Sequence, residues 1–136
     1  MTAAMKIGDS HEARFKVQLR DSAKALERAR DDSFPNVFAT ARMVGFMEIA
    51  ATRLMRPLLE PDQHSVGVAV SINHTAPTPI GGNVRTVATY LGQDGKLFRF
   101  KVEAFDDAGL IGEGEHVRAI VTTSRLLAAA AKRGPS

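Results

Sequence analysis

A chain of 136 residues, 44% hydrophobic and 24% charged, is long enough for one domain with a buried core and too apolar for wholesale disorder. Its net charge of +3 comes from scattered basic residues, which argues against a nucleic-acid partner, and the absence of cysteine removes disulfides, thiolate metal sites and a cysteine nucleophile. No apolar run approaches the roughly 20 residues of a membrane span and the opening MTAAMKIGDSHEARF has no secretory apolar core, so the expectation is a single domain over 1–136 in the cytoplasm, without membrane contact.

The first element with strand character is EARFKVQLR, 12–20, followed by DSAKALERAR, 21–30, which reads as a short helix with Ser22 as its cap. Pro35 then biases Phe34 away from helical geometry and punctuates the chain. Large apolar residues then recur at Val37, Met43, Met47, Leu54 and Leu58, widened by Phe38, Val44, Phe46, Ile49 and Met55, with the start expected near Phe38 to Thr40. That pattern predicts a helix, apolar nearly all round, running to about Leu59, where Pro61 bars continuation. Gly45 inside it costs roughly 1 kcal/mol against Ala, which suggests that something approaches the backbone there.

Period two takes over in SVGVAVSINH, with Val66, Val68, Val70 and Ile72 on one face and Gly67, Ala69, Ser71 and Asn73 on the other. NVRTVATYL, KLFRFKVEAF and LIGEGEHVRAIVTTS follow, the first two joined by a hairpin signal at Asp94-Gly95. Phe98, Phe100, Val102 and Ala104 alternate with Arg99, Lys101 and Glu103, a core face against a wet face. The expectation is an antiparallel meander of four strands, and a tail from about 126 to 136 that makes a helical turn and frays. A long apolar helix ahead of four strands is buried only if the sheet curls around it, which makes the class α+β.

His74 shares its parity with Val70 and Ile72, so without a bulge its ring faces the helix-covered side of the sheet, just before Pro77 and Pro79 end the pairing. A histidine there reads either as a satisfied core residue or as a catalytic group. Glu48 is the one ionisable side chain between Arg42 and Arg53, with Val44, Ala51, Thr52 and Met55 as its helical neighbours. It reads either as an edge residue reaching solvent or as a carboxylate held for chemistry, since burying one without a partner is costly. Paired with His74 across the helix–sheet interface it would form an acid/base or nucleophile pair. Thr40, two turns earlier, is an N-cap or a hydroxyl on that same side. His11 and His64 lie in polar segments, and His116 lies on a strand where Gly112 and Gly114 indicate a bulge or a close backbone approach. No metal-ligand spacing, nucleophile elbow or phosphate loop occurs in the sequence, so neither a metal nor a cofactor is expected.

FPNVFATARMVGFMEIAA, EPDQHSVGVAVSINHTAPTPIGGNV and IGEGEHVRAIV, in that order between residues 34 and 121, resemble the hotdog-fold acyl-CoA thioesterases, and within them the fluoroacetyl-CoA thioesterase-like group. The resemblance implies a hotdog fold, one long central helix wrapped by a curved antiparallel sheet. It also implies a homodimer joined sheet edge to sheet edge, an acyl-CoA substrate bound at the interface, and CoA present only as part of that substrate. Residue by residue, Thr40, Glu48 and His74 match the group's catalytic threonine, glutamate and histidine. Gly67 matches a small residue beside the thioester, Phe34 an aromatic over the acyl pocket, and Arg118 a basic position of the motif. Carried over, Glu48 attacks the thioester or activates water, His74 moves protons and Thr40 orients the carboxylate. The departure is Asp31, which stands where the fluoroacetate-selective type has a second aromatic three residues before the first. Two other readings are a non-catalytic hotdog module that binds acyl-CoA or a protein partner, and a hydratase. The hydratase is disfavoured because no Asp is followed five residues later by His.

Overall fold

The computed structural model describes residues 4–135. Strand β1 (Ser10–Lys16) opens the fold, and two 3-10 turns, Leu19–Asp21 and Ala23–Leu26, lead to helix α1 (Thr40–Met55) with a terminal 3-10 turn at Arg56–Leu58. Strands β2 (Gln63–His74), β3 (Asn83–Asp94), β4 (Leu97–Asp106) and β5 (Gly109–Thr122) follow, then helix α2 (Thr123–Arg133). All five strands form one antiparallel sheet in the order β1-β3-β4-β5-β2. Only β3, β4 and β5 make the expected meander. Strand β2 lies beside β5 at the far edge, because Thr75–Gly82, with Pro77 and Pro79, carries the chain across the molecule instead of turning it into a hairpin with β3.

The sheet curls around α1. From the helix, Met43, Phe46, Met47, Ala50, Ala51 and Met55 are buried against Val84, Ala88 and Tyr90 of β3 and Phe100, Val102 and Ala104 of β4. Phe15 of β1 stacks on Phe46 with centroids 3.9 Å apart, and the buried Thr86 hydroxyl donates to the Phe46 carbonyl at 2.8 Å. Residues Phe100, Val102 and Ala104 are buried and Arg99 and Lys101 are exposed, as the alternation predicts. On β5, a Cβ at Gly112 would sit 2.8 Å from the Met43 sulfur and 2.6 Å from the Asn73 carbonyl oxygen, so the absent side chain lets helix and strand approach.

Several local expectations give way to longer-range forces. The segment 21–30 is a single 3-10 turn, although Ser22 does cap it, accepting from the Ala25 N–H at 3.1 Å. The tail is an eleven-residue helix and not a frayed turn, because the Asp62 carboxylate accepts from the Ser124 backbone N–H at 3.2 Å and from its hydroxyl at 2.7 Å, fixing the first turn. Ser136 and residues 1–3 lie outside the described residues. Around Gly45, apart from its chain neighbours and the backbone of its own helix, no atom of the described residues comes within 4 Å of where a Cβ would be, so nothing among them explains that glycine. Among the described residues no helix is long and apolar enough to cross a membrane.

Candidate active site

Two clusters occupy the seam between α1 and the β2–β5 edge. The first is at the start of the helix. Ala39 is the N-cap, so Thr40 is the first helical residue and its hydroxyl is free of capping duty. It lies 2.8 Å from Nδ1 of His74 at the end of β2. The two side chains share an open cavity of about 320 Å³ with Val37, Phe38, Thr75 and Pro77. Phe38 meets the imidazole edge to face at 6.3 Å. The other ring nitrogen, Nε2, is buried with no hydrogen-bond partner among the described residues. Burial pushes the His74 imidazole below its ordinary value, and the Ala76 backbone partly offsets this. A neutral histidine with one unengaged ring nitrogen can take up or give a proton.

The second cluster is built on a β-bulge. The register between β2 and β5 shifts between Gly67 and Ala69, with Val68 as the extra residue. One inserted residue reverses parity, so Ser65 and Gly67 before the bulge and Val70, Ile72 and His74 after it share the inner face, paired with Ile120, Arg118, His116, Gly114 and Gly112. Strict alternation puts Val66 inward and Gly67 outward; the bulge exchanges them. His74 still points inward, as its parity with Val70 and Ile72 predicts.

Gly67 faces Glu48 so closely that a Cβ there would sit 2.5 Å from the Glu48 Oε2 atom. That oxygen accepts from Arg118 Nη1 at 2.9 Å and lies 3.9 Å from His116 Nε2. Glu48 itself is 41% exposed, on a groove of about 250 Å³ with Gly67, Val68, Val70 and His116. It is therefore partnered on one side and open to a ligand on the other. Arg118 is 4% exposed and directs every contact into the protein: Nε to the Ser65 hydroxyl at 3.1 Å, Nη2 to the Ser65 carbonyl at 2.8 Å, Nη1 to Glu48 and to His116 Nε2. It orients a carboxylate; it does not reach outward.

Of the six residues singled out by sequence, the fold brings together Thr40 with His74, and Glu48 with Gly67 and Arg118. Thr40 hydrogen-bonds His74 and not Glu48: along α1 the two lie about 12 Å apart at 1.5 Å per residue. Phe34 is 42% exposed, its N–H donating to the Glu27 carboxylate at 3.0 Å, and it does not line the Thr40–His74 cavity. Ser65 and His116 complete the second cluster, although the sequence singles out neither as a site residue. The parity of His116 with Arg118 on one strand was the available signal.

The family model of the fluoroacetyl-CoA-specific thioesterases matches residues 17–124. The fluoroacetyl-CoA thioesterase of Streptantibioticus cattleyicolor is 35% identical over 138 residues, covering 100% of this chain and 99% of that protein. A solved structure of fluoroacetyl-CoA thioesterase FlK superposes with a TM-score of 0.92 at 35% identity, over 98% of this chain and 100% of that one. A hot-dog-like protein from Thermanaerovibrio acidaminovorans, 22% identical, shares the fold with a TM-score of 0.81 over 96% of this chain and 93% of its own. A sheet curled around one long helix, with this sequence agreement along nearly its whole length, places the chain in the fluoroacetyl-CoA-specific thioesterase family, with that family's hotdog fold.

Proposed function

We propose that the protein hydrolyses small acyl-CoA thioesters at a site assembled from two copies of the chain, with Glu48 and Gly67 from one and Thr40 and His74 from the other. The observation that carries this reading is the separation of the two clusters. Thr40 and Glu48 stand two turns apart on one helix, and their side chains end in different depressions. One protomer therefore does not bring carboxylate and imidazole to one substrate atom.

A two-fold axis does. Strand β2 is an edge of twelve residues carrying no Lys, Arg, Asp or Glu, with Val68 and Val70 exposed, and such an edge invites pairing with another strand. An antiparallel pairing with its own copy, centred near Val70 and Ser71, sets Gly67 of one chain opposite His74 of the other. The same axis passes α1 near Val44 and Gly45, bringing Glu48 toward the second copy's Thr40. The open space at Gly45 then receives the second helix, which accounts for a glycine that nothing among the described residues of one protomer explains.

At such a site the Glu48 carboxylate drives the attack on the thioester carbon, as nucleophile or as base for a water, while Arg118 fixes its orientation. A water is consumed: its hydroxyl ends on the acyl carbon, the C–S bond breaks, and its proton is relayed to the departing sulfur, which leaves as CoA thiol, by His74, a ring neutral at rest whose second nitrogen is held by the Thr40 hydroxyl. Backbone N–H groups that this strand pairing leaves unpaired stabilise the oxyanion, a contribution of about 3 to 4 kcal/mol per well-placed donor. CoA enters and leaves as part of the substrate and product, and no further cofactor is required.

Complementation tests the arrangement. Glu48→Gln and His74→Ala should each lower turnover by on the order of 100-fold or more. Refolded together, the two variants form mixed dimers in which one of two sites holds both intact groups, so activity should return to about a quarter of wild type. Mixed dimers without recovery would overturn the shared site; near-native turnover in Glu48→Gln would overturn the role of the carboxylate. A stable monomer mass by light scattering at micromolar concentration would overturn the dimer and, with it, the shared site.

A further inference from the structure

His116 lies on the central stretch of β5, only 2% exposed, yet neither of its nitrogens is idle. A guanidinium has donors and no acceptor, so at the 3.1 Å contact between Arg118 Nη1 and His116 Nε2 the imidazole nitrogen accepts and carries no proton. The proton then resides on Nδ1, which donates to the Ala69 carbonyl at 2.8 Å, next to the β2 bulge. This locks one tautomer of a neutral ring behind the Glu48–Arg118 pair. Two charged groups face it, Glu48 from α1 at 3.9 Å and Arg118 from β5. Gly67 and Ala69 approach from β2, and Phe100 is its register partner on β4.

We propose that His116 is a positioning residue for hydrolysis, acting through Arg118: its unprotonated Nε2 steers the guanidinium so that Nη1 stays on the Glu48 carboxylate in the orientation that drives attack. The inference rests on the reading of Glu48 given above. Ser65 fixes Nε and Nη2 of Arg118, and the Nε2 lone pair supplies the remaining restraint on Nη1. A proton on Nε2 reverses the arrangement. It sets one donor against another, turns Nη1 away, and puts a second N–H beside the carboxylate, withdrawing the lone pair that hydrolysis needs. The device therefore works only with a neutral ring, and burial, which pushes His116 below the ordinary histidine value, keeps it neutral.

Two variants separate a positioning role from simple packing. His116→Phe fills the space beside Phe100 but removes the lone pair, and His116→Gln offers an amide oxygen to Nη1. The Phe variant should lose about tenfold or more in kcat with KM within roughly twofold, and the Gln variant should recover most of that loss. In wild type the acid side of the kcat profile should steepen toward two protons, from His74 and His116; in His116→Gln it should fall to one. Side-chain 15N spectra give a reading independent of activity, since the Nη1 and Nη2 signals of Arg118 should be distinct in wild type and coalesce in His116→Phe. Wild-type kcat in the Phe variant, equal impairment of both variants, or unchanged Arg118 signals would each overturn the proposal. If the Phe variant does not fold, an unchanged acid slope in His116→Gln does so on its own. Glu48→Gln measured in parallel distinguishes the two levels. Retained activity there removes the reading of Glu48, while the Arg118 spectra still decide whether His116 holds the guanidinium.

Discussion

Gly67 shows how one missing side chain shapes chemistry. Its position on the inner face is set by the bulge at Val68, and the space where a Cβ would stand is occupied 2.5 Å away by the Glu48 carboxylate oxygen. That neighbour is the far end of a flexible side chain with 41% exposure, so it can swing aside at small cost to the fold. Gly67→Ala should therefore leave the fold intact at a cost of about 1 kcal/mol, because Arg118 keeps its Ser65 and His116 contacts, while displacing Glu48 from Arg118 and lowering turnover by at least about tenfold. Melting curves and steady-state rates on one preparation check this; unchanged turnover would mean that the carboxylate works from another rotamer. Thr40 makes the complementary point. A threonine at a helix start reads naturally as a cap, but Ala39 holds the cap position, and the hydroxyl is free for His74.

Among the elements, the segment between the 3-10 turns and α1 carries the two positions, 31 and 34, that the resemblance to the fluoroacetyl-CoA thioesterases sets over the acyl group. The Asp32 carboxylate accepts the N–H groups of Arg28 and Ala29, both at 2.8 Å, and the Glu27 carboxylate accepts that of Phe34, so acidic side chains close the loop on itself. Phe34 and Asp31 are both left exposed on it. A carboxylate at 31 prefers water to an apolar roof, so on the proposed reading the aromatic cover that the resemblance implies is incomplete here. Fluoroacetyl and acetyl groups differ by one atom, and pockets rarely separate such pairs strongly without a dedicated device. Efficiency on fluoroacetyl-CoA should then stay within roughly tenfold of that on ordinary short acyl-CoAs after correction for intrinsic reactivity, about 1.4 kcal/mol. Side-by-side kcat/KM values showing a several-thousandfold preference would refute this and mean that another residue replaces the missing aromatic.

At the scale of the whole molecule, His74 and His116 couple the site to stability. Burial lowers both below the ordinary value of 6.5, so the folded chain binds their protons less readily than the unfolded chain. The stability they contribute is thus fully present above that value and is lost as pH falls from it through the folded-state values. Melting temperature should drop between pH 7 and pH 5, and more gently in His116→Gln; a flat profile would show that neither ring is held neutral by the fold. The long helix and its limits, the inward parity of His74, the core face of β4 and the α+β class are all legible in the sequence, because they follow from periodicity and from punctuation by proline and glycine. The sequence also singled out Glu48 as an unusual charge on an apolar helix. The tertiary structure alone decided that β2 pairs with β5 across the sheet, that a bulge turns Gly67 toward Glu48, and that Arg118 and His116 stand behind that carboxylate. Those outcomes depend on register between strands some 50 residues apart in sequence, and a one-residue shift in register reverses every face while leaving the local pattern of each strand unchanged.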